Sequence, residues 1–95
     1  MGKTLKKYLL FDLDTTALKE EFGPKRYTVA YSMIRQFLEN CGFEHKQGSG
    51  YLFTEPISLN QIIAIYQAMT EEMPWLDSCS KTMDVGNVRG FYNLK

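Results

Sequence analysis

Apolar residues recur along this 95-residue chain at two different periods. Tyr8 to Leu13 (YLLFDL) is a short apolar run bounded by polar residues, which predicts a buried strand. Residues 15–25, TTALKEEFGPK, predict a turn or short helical piece broken by Gly23-Pro24. From Arg26 to Cys41 the apolar positions Val29, Ala30, Met33, Ile34, Phe37, Leu38 and Cys41 step by three and four. That spacing predicts an amphipathic helix with Arg35, Gln36, Glu39 and Asn40 toward solvent and Gly42 as its C-terminal cap. Residues 43–54, FEHKQGSGYLFT, alternate instead, with Phe43, His45, Tyr51 and Phe53 opposed to Glu44, Lys46 and Thr54. Gln-Gly-Ser-Gly at the centre supplies turn chemistry for a hairpin.

Pro56 closes the hairpin, and Ser58 with Gln61 three residues on forms a capping box. Leu59, Ile62, Ile63, Tyr66, Met69 and Met73 then repeat at helical spacing until Pro74. In the last segment Gly86-Asn87 reads as a turn between two short strand-like runs. Strand, helix, strand, strand, helix, strand is the ferredoxin-like βαββαβ plan of the α+β class. It lays both helices on one face of an antiparallel sheet, and here an extra C-terminal strand follows. The length fits a single domain over residues 1–95 with one modest core. The helix-free face of such a sheet must be solvated or covered by a second subunit, so a homodimer is the expected completion.

Composition narrows the picture only a little. Eleven basic and eleven acidic residues give zero formal charge, so any polyanion must be held by a local patch. Cys41 and Cys79 have no metal-type spacing and are expected as free, partly buried thiols. The apolar run after Lys6 and Lys7 is interrupted at Asp12, too early for a signal peptide, and no stretch is long enough to cross a membrane. The expected location is therefore cytoplasmic.

Candidate chemistry concentrates in FDLDTT. Leu10, Asp12 and Asp14 share one side of the predicted strand and Phe11 and Leu13 the other. Asp14 can cap a turn beginning at Thr15. Asp12 lies one step deeper, where a carboxylate needs compensation, so it is the leading site candidate. The string looks like the first motif of haloacid dehalogenase-type phosphotransferases. Those folds need a long parallel sheet, a later lysine and a further acidic pair, for which this chain has no room.

A second resemblance covers more of the chain. YLLFDLD followed by LK, Ala30-Tyr31 opening a helix, GFEHKQGSGY (Gly42 to Tyr51) and Trp75 before the last strands are similar in order and spacing to the VapD (virulence-associated protein D) family. That group is related to the CRISPR-associated Cas2 ribonucleases, and the similarity spans Tyr8 to Ser80. It implies a dimeric endoribonuclease of single-stranded RNA, often the toxin of a toxin–antitoxin module with a small antitoxin protein as partner. The family's key aspartate falls on Asp12, and in the Cas2-like arrangement two such aspartates meet across the dimer axis. Two carboxylates with water and a phosphate oxygen can hold Mg²⁺, while a carboxylate alone can act as a general base on a ribose 2′-hydroxyl.

Asp14, Ser49 and Asp84 complete the candidate catalytic set, with Asp12 the candidate metal ligand. Two departures from the family stand out: Gly50 where a β-branched residue is common, and Lys81-Thr82 where an arginine-aspartate pair is usual. Asp84 can replace that acid only by a two-residue slip, which preserves the face. The departure keeps a rival open, a non-catalytic RNA- or protein-binding dimer on the same fold. His45 suits a buried, interface or catalytic role. Gln47, Gly48 and Ser49 can serve a phosphate or simply the turn. Lys6, Lys7, Lys25, Arg26, Lys46 and Lys81 are candidates for a basic surface, and Tyr8, Tyr27 and Tyr51 for base stacking or core packing.

Overall fold

Six residues, Tyr8–Leu13, form the central strand β1, and their side chains alternate strictly between solvent and core. Leu9, Phe11 and Leu13 are 1%, 5% and 6% exposed. The structure is a computed structural model that describes residues 7–47, 50–53, 55–87 and 90–93. These form α1 (Thr15–Phe22), α2 (Val29–Asn40), β2 (Phe43–Gln47), β3 (Gly50–Phe53), α3 (Leu59–Glu72), α4 (Trp75–Cys79), β4 (Ser80–Asn87) and β5 (Gly90–Asn93) besides β1. The sheet order is β2-β3-β1-β4-β5, and every pairing is antiparallel. The first four strands give the ferredoxin-like order, and β5 extends the sheet beyond β4 as expected.

Local chemistry sets most of the boundaries. The Asp14 carboxylate caps α1 by accepting from the Thr16 and Ala17 N–H groups at 3.0 and 3.2 Å. After α2 the chain passes Gly42 at φ 103°, where a Cβ would stand 3.2 Å from the Phe53 ring. Both the positive φ and the close ring favour glycine there. Ser58 and Gln61 form the capping box at α3, with Gln61 N–H donating to Ser58 Oγ at 3.1 Å and Ser58 N–H to Gln61 Oε1 at 3.0 Å. Pro74 has no N–H to extend α3, and the helix ends at Glu72.

All four helices put residues into one core on the face of Leu9, Phe11 and Leu13: Leu18, Ile34, Ile62 and Leu76 are each fully buried. Each such side chain stabilises by roughly 1.5–3 kcal/mol on burial. Aromatic contacts knit the hairpin to the centre. Phe11 and Tyr51 lie nearly parallel at 5.8 Å, and Phe43 meets Phe53 edge-on at 5.0 Å.

Three details depart from the sequence pattern. Trp75–Cys79 is a helix, α4, seated by the Trp75 ring edge-on to Phe22 at 5.0 Å. Gly86 and Asn87 are not a turn: Gly86 pairs with Tyr8 on one side and Phe91 on the other, so sheet pairing overrides the local turn preference. The connection falls on residues 88–89, outside the described residues. Finally, Val29 and Met33 are 40% and 37% exposed, because only the Ala30, Ile34 and Leu38 side of α2 meets the core.

Candidate active site

The face of the sheet opposite the helices carries Tyr8, Leu10 and Asp12 from β1, all exposed. Register places Thr82 directly across from Asp12 and Asp84 across from Leu10, so Thr82 and Asp84 share that face with Asp12. On the other flank Leu52 lies opposite Tyr8 and Gly50 opposite Leu10. Gly50 therefore sets no side chain beside Leu10 in the place the family gives a β-branched one. The β1–β4 ladder shifts between Asp12 and Leu13, where Leu13 pairs with Ser80 and Lys81 becomes the extra, bulged residue. Bulges of this kind re-aim side chains next to sites. The lysine-threonine departure thus falls on Asp12's own cross-strand neighbour, with Thr82 half-buried and Lys81 exposed.

Asp12 and Asp14, two residues apart, have separate fates. Asp14 is held by its cap bonds, by its own N–H donating to Cys79 C=O at 2.7 Å, and by its C=O accepting from Leu18 at 2.9 Å. Asp12 is exposed on the open face. Asp84, half-buried, is diagonal to it, a separation of roughly 7–8 Å for such pairs. Ser49, with Gly48, lies outside the described residues. No group of three or more His, Cys, Asp or Glu side chains converges among the described residues. Asp12 and Asp84 share this face diagonally, and Mg²⁺ is a cation that keeps several waters and takes one or two protein carboxylates plus phosphate oxygens.

A second polar region lies on the helix side of the hairpin. Tyr31, Ser32 and Arg35 of α2 with His45 and Tyr51 line a recess of about 170 Å³. Tyr51 is 2% exposed, and the half-buried His45 ring rests on it at 4.9 Å. Arg35 Nε donates to Glu39 at 3.0 Å in an exposed pair, worth little on its own. Burial first, then the neighbouring Tyr27 and the charge of Asp12, hold the Tyr31 phenol above its ordinary value. Tyr31 is thus within electrostatic reach of Asp12. The sequence pattern puts Arg35 in solvent, as the structure does, and gives Tyr31 no site role. Their i, i+4 spacing on one helix was the available signal.

The remaining candidates sort plainly. Lys7 is 4% exposed and drops out of any basic surface. Lys46 pairs with Glu44 at 2.9 Å, Lys6 is outside the described residues, and Lys25 and Arg26 are exposed in the turn before α2. Tyr51 belongs to the core, Tyr27 is half-buried with Lys19 Nζ 5.3 Å over its ring, and Tyr8 is 42% exposed on the open face. Cys41 and Cys79 are free thiols, both pushed up mainly by burial and so unsuited to attack as thiolates. No described helix is long and apolar enough to cross a membrane.

No family model matches the chain. Among curated proteins, "Endoribonuclease VapD 2" of Riemerella anatipestifer is 30% identical over 73 residues, covering 77% of this chain and 78% of that protein. "Endoribonuclease VapD homolog" of Helicobacter pylori is 37% identical over 71 residues, 75% of this chain and 73% of that protein. A further Helicobacter pylori protein, "Endoribonuclease VapD", is 33% identical over 85 residues, 87% of each chain.

Proposed function

The chain belongs to the VapD family, and on that premise we propose that it is an endoribonuclease that cleaves single-stranded RNA at Asp12. The observation that carries this reading is the placement of Asp12: an exposed carboxylate at the end of the central strand, free of the capping duty that occupies Asp14. Asp12 takes the O–H proton as the attacking oxygen, from water or a ribose 2′-hydroxyl, closes on phosphorus. The P–O bond to the departing strand breaks in the same step, and the departing oxygen takes a proton from water. In the alternative with metal, Asp12 with Asp84 would hold Mg²⁺ instead of taking the proton, and the ion would supply charge stabilisation at the phosphate.

The active unit in this reading is a homodimer that covers the open face. Tyr8 and Leu10, 42% and 37% exposed, are apolar groups beside Asp12 on that face. A second copy laid over them shields both and brings two Asp12 side chains toward one axis. A toxin role held in check by a small antitoxin protein, in the cytoplasm, follows from the same family premise.

The rival is a binding dimer without turnover, and it is favoured by one observation: Thr82, not an acid, stands across from Asp12. Cleavage of a labelled single-stranded RNA by wild type and Asp12→Asn, with Mg²⁺ and with chelator, tests the proposal. Wild-type cleavage lost in the variant supports it. RNA left intact in every lane transfers the assignment to the binding dimer. A 2′-deoxy substitution at the cleaved position tells the nucleophile, since only ribose attack is blocked by it.

A further inference from the structure

The recess between α2 and the hairpin plays no part in the chemistry assigned to Asp12, yet its lining has a definite character. It is lined by the Arg35 guanidinium, the His45 imidazole, the Ser32 hydroxyl and two phenols, with the Glu39 carboxylate paired to Arg35 at 3.0 Å and within electrostatic reach of Tyr51. Every one of the lining side chains can donate a hydrogen bond. Its volume of about 170 Å³ corresponds to roughly five or six waters at about 30 Å³ each, enough for a phosphate and its ester oxygens.

The walls are fixed from behind. Tyr51 is packed against Phe11 at 5.8 Å, and His45 lies on Tyr51 at 4.9 Å. Arg35 stands one helical turn after Tyr31 on the same side of α2. Its pair with Glu39 uses Nε, one of five guanidinium donor hydrogens, and the fork geometry of the rest matches phosphate oxygens. Tyr31 lines the recess on the helix side of the sheet, whereas Asp12 lies on the open face at the end of β1.

We propose that this recess is a subsite for a backbone phosphate of an RNA strand, with Arg35 and His45 as its anion ligands and Tyr51 as its floor. The proposal rests on the RNA-cleaving reading for the identity of its ligand, and on the recess for its chemistry. A free phosphate or a mononucleotide offers the same anion, so the test separates these sources.

His45 is the only histidine in the chain, so its imidazole ¹H–¹⁵N resonances report on the recess directly. Asp12→Asn protein is titrated with inorganic phosphate, with a 5′-mononucleotide and with a short single-stranded RNA. The expected result is a saturable His45 shift with RNA at far lower concentration than with either small anion. Adding Arg35→Gln weakens that response about tenfold, the scale of one lost charge-assisted hydrogen bond. On the wild-type background Arg35→Gln raises KM by a similar factor and leaves kcat nearly unchanged. Arg35 is exposed, so the variant keeps the fold; His45→Gln is the second variant and produces the same KM change. His45 resonances unmoved by RNA, or moved equally with Arg35→Gln, overturn the subsite even where Asp12-dependent cleavage is intact. Equal responses to mononucleotide and RNA overturn the strand assignment. Saturable RNA binding at His45 without any wild-type cleavage supports the subsite while removing the nuclease reading.

Discussion

Along β1, Leu9, Phe11 and Leu13 are 1%, 5% and 6% exposed, whereas Tyr8 and Leu10 in the same strand are 42% and 37% exposed and Asp12 is open to solvent. One set faces four helices and the other faces none. The core set draws its energy from removing apolar area from water. The open set makes little of that energy within one chain, so the residues there can be chosen for chemistry and for contact with another molecule. Stability and activity should then separate by alternate residues of a single strand.

The largest effect expected is on the closed face. Phe11→Ala removes a ring packed on Tyr51 and should cost about 3–5 kcal/mol, read from urea unfolding. A loss under about 1 kcal/mol would break the comparison, since the two faces would then be energetically alike. Next comes Leu10→Lys, which puts a charge into the proposed dimer contact. The dimer should weaken by roughly 100-fold in sedimentation, the scale of burying an uncompensated polar group, while the protomer still folds. An unchanged dimer would move the partner contact off this face.

Asp14→Ala sharpens the contrast between neighbouring carboxylates. It removes two cap bonds and should cost about 1 kcal/mol, with RNA cleavage per folded molecule kept. The smallest effect is alkaline. Burial holds the Cys41, Cys79, Tyr31 and Tyr51 groups above their ordinary values, so the folded state favours their protonated forms. That contribution is fully present below about pH 8.5 and declines as thiols and then phenols of the unfolded chain ionise, the phenols near pH 10. Urea midpoints between pH 7 and 11 should stay level and then fall, less steeply in Tyr51→Phe.

Much of this was legible in the chain itself because it was local. Alternation over Tyr8–Leu13, the Ser58–Gln61 box and the Gly42 stop are signals within a few residues, and each reappears in the fold. Asp14 could be read as a cap from Thr15 and Thr16 beside it, which left Asp12 as the candidate. What escaped was set by distant pairing. Trp75–Cys79 is too short to show a helical period, and its place is decided by Phe22, some fifty residues earlier. Gly86-Asn87 carries a turn signal that two flanking strands overrule. The bulge at Lys81, which fixes Thr82 opposite Asp12, depends on the β1–β4 register alone. Likewise the recess joins α2 to the hairpin, and no spacing within either segment announces it.

The central claim is that the open face carries the reaction without carrying the fold, and Asp12→Asn tests it most directly when cleavage and unfolding are measured on the same preparation. The account predicts that RNA cleavage falls by about 10²–10⁴-fold, the range for loss of a general base, with an unfolding free energy unchanged within about 0.5 kcal/mol. Wild-type cleavage preserved in the variant, or activity lost only because the variant unfolds, would contradict it.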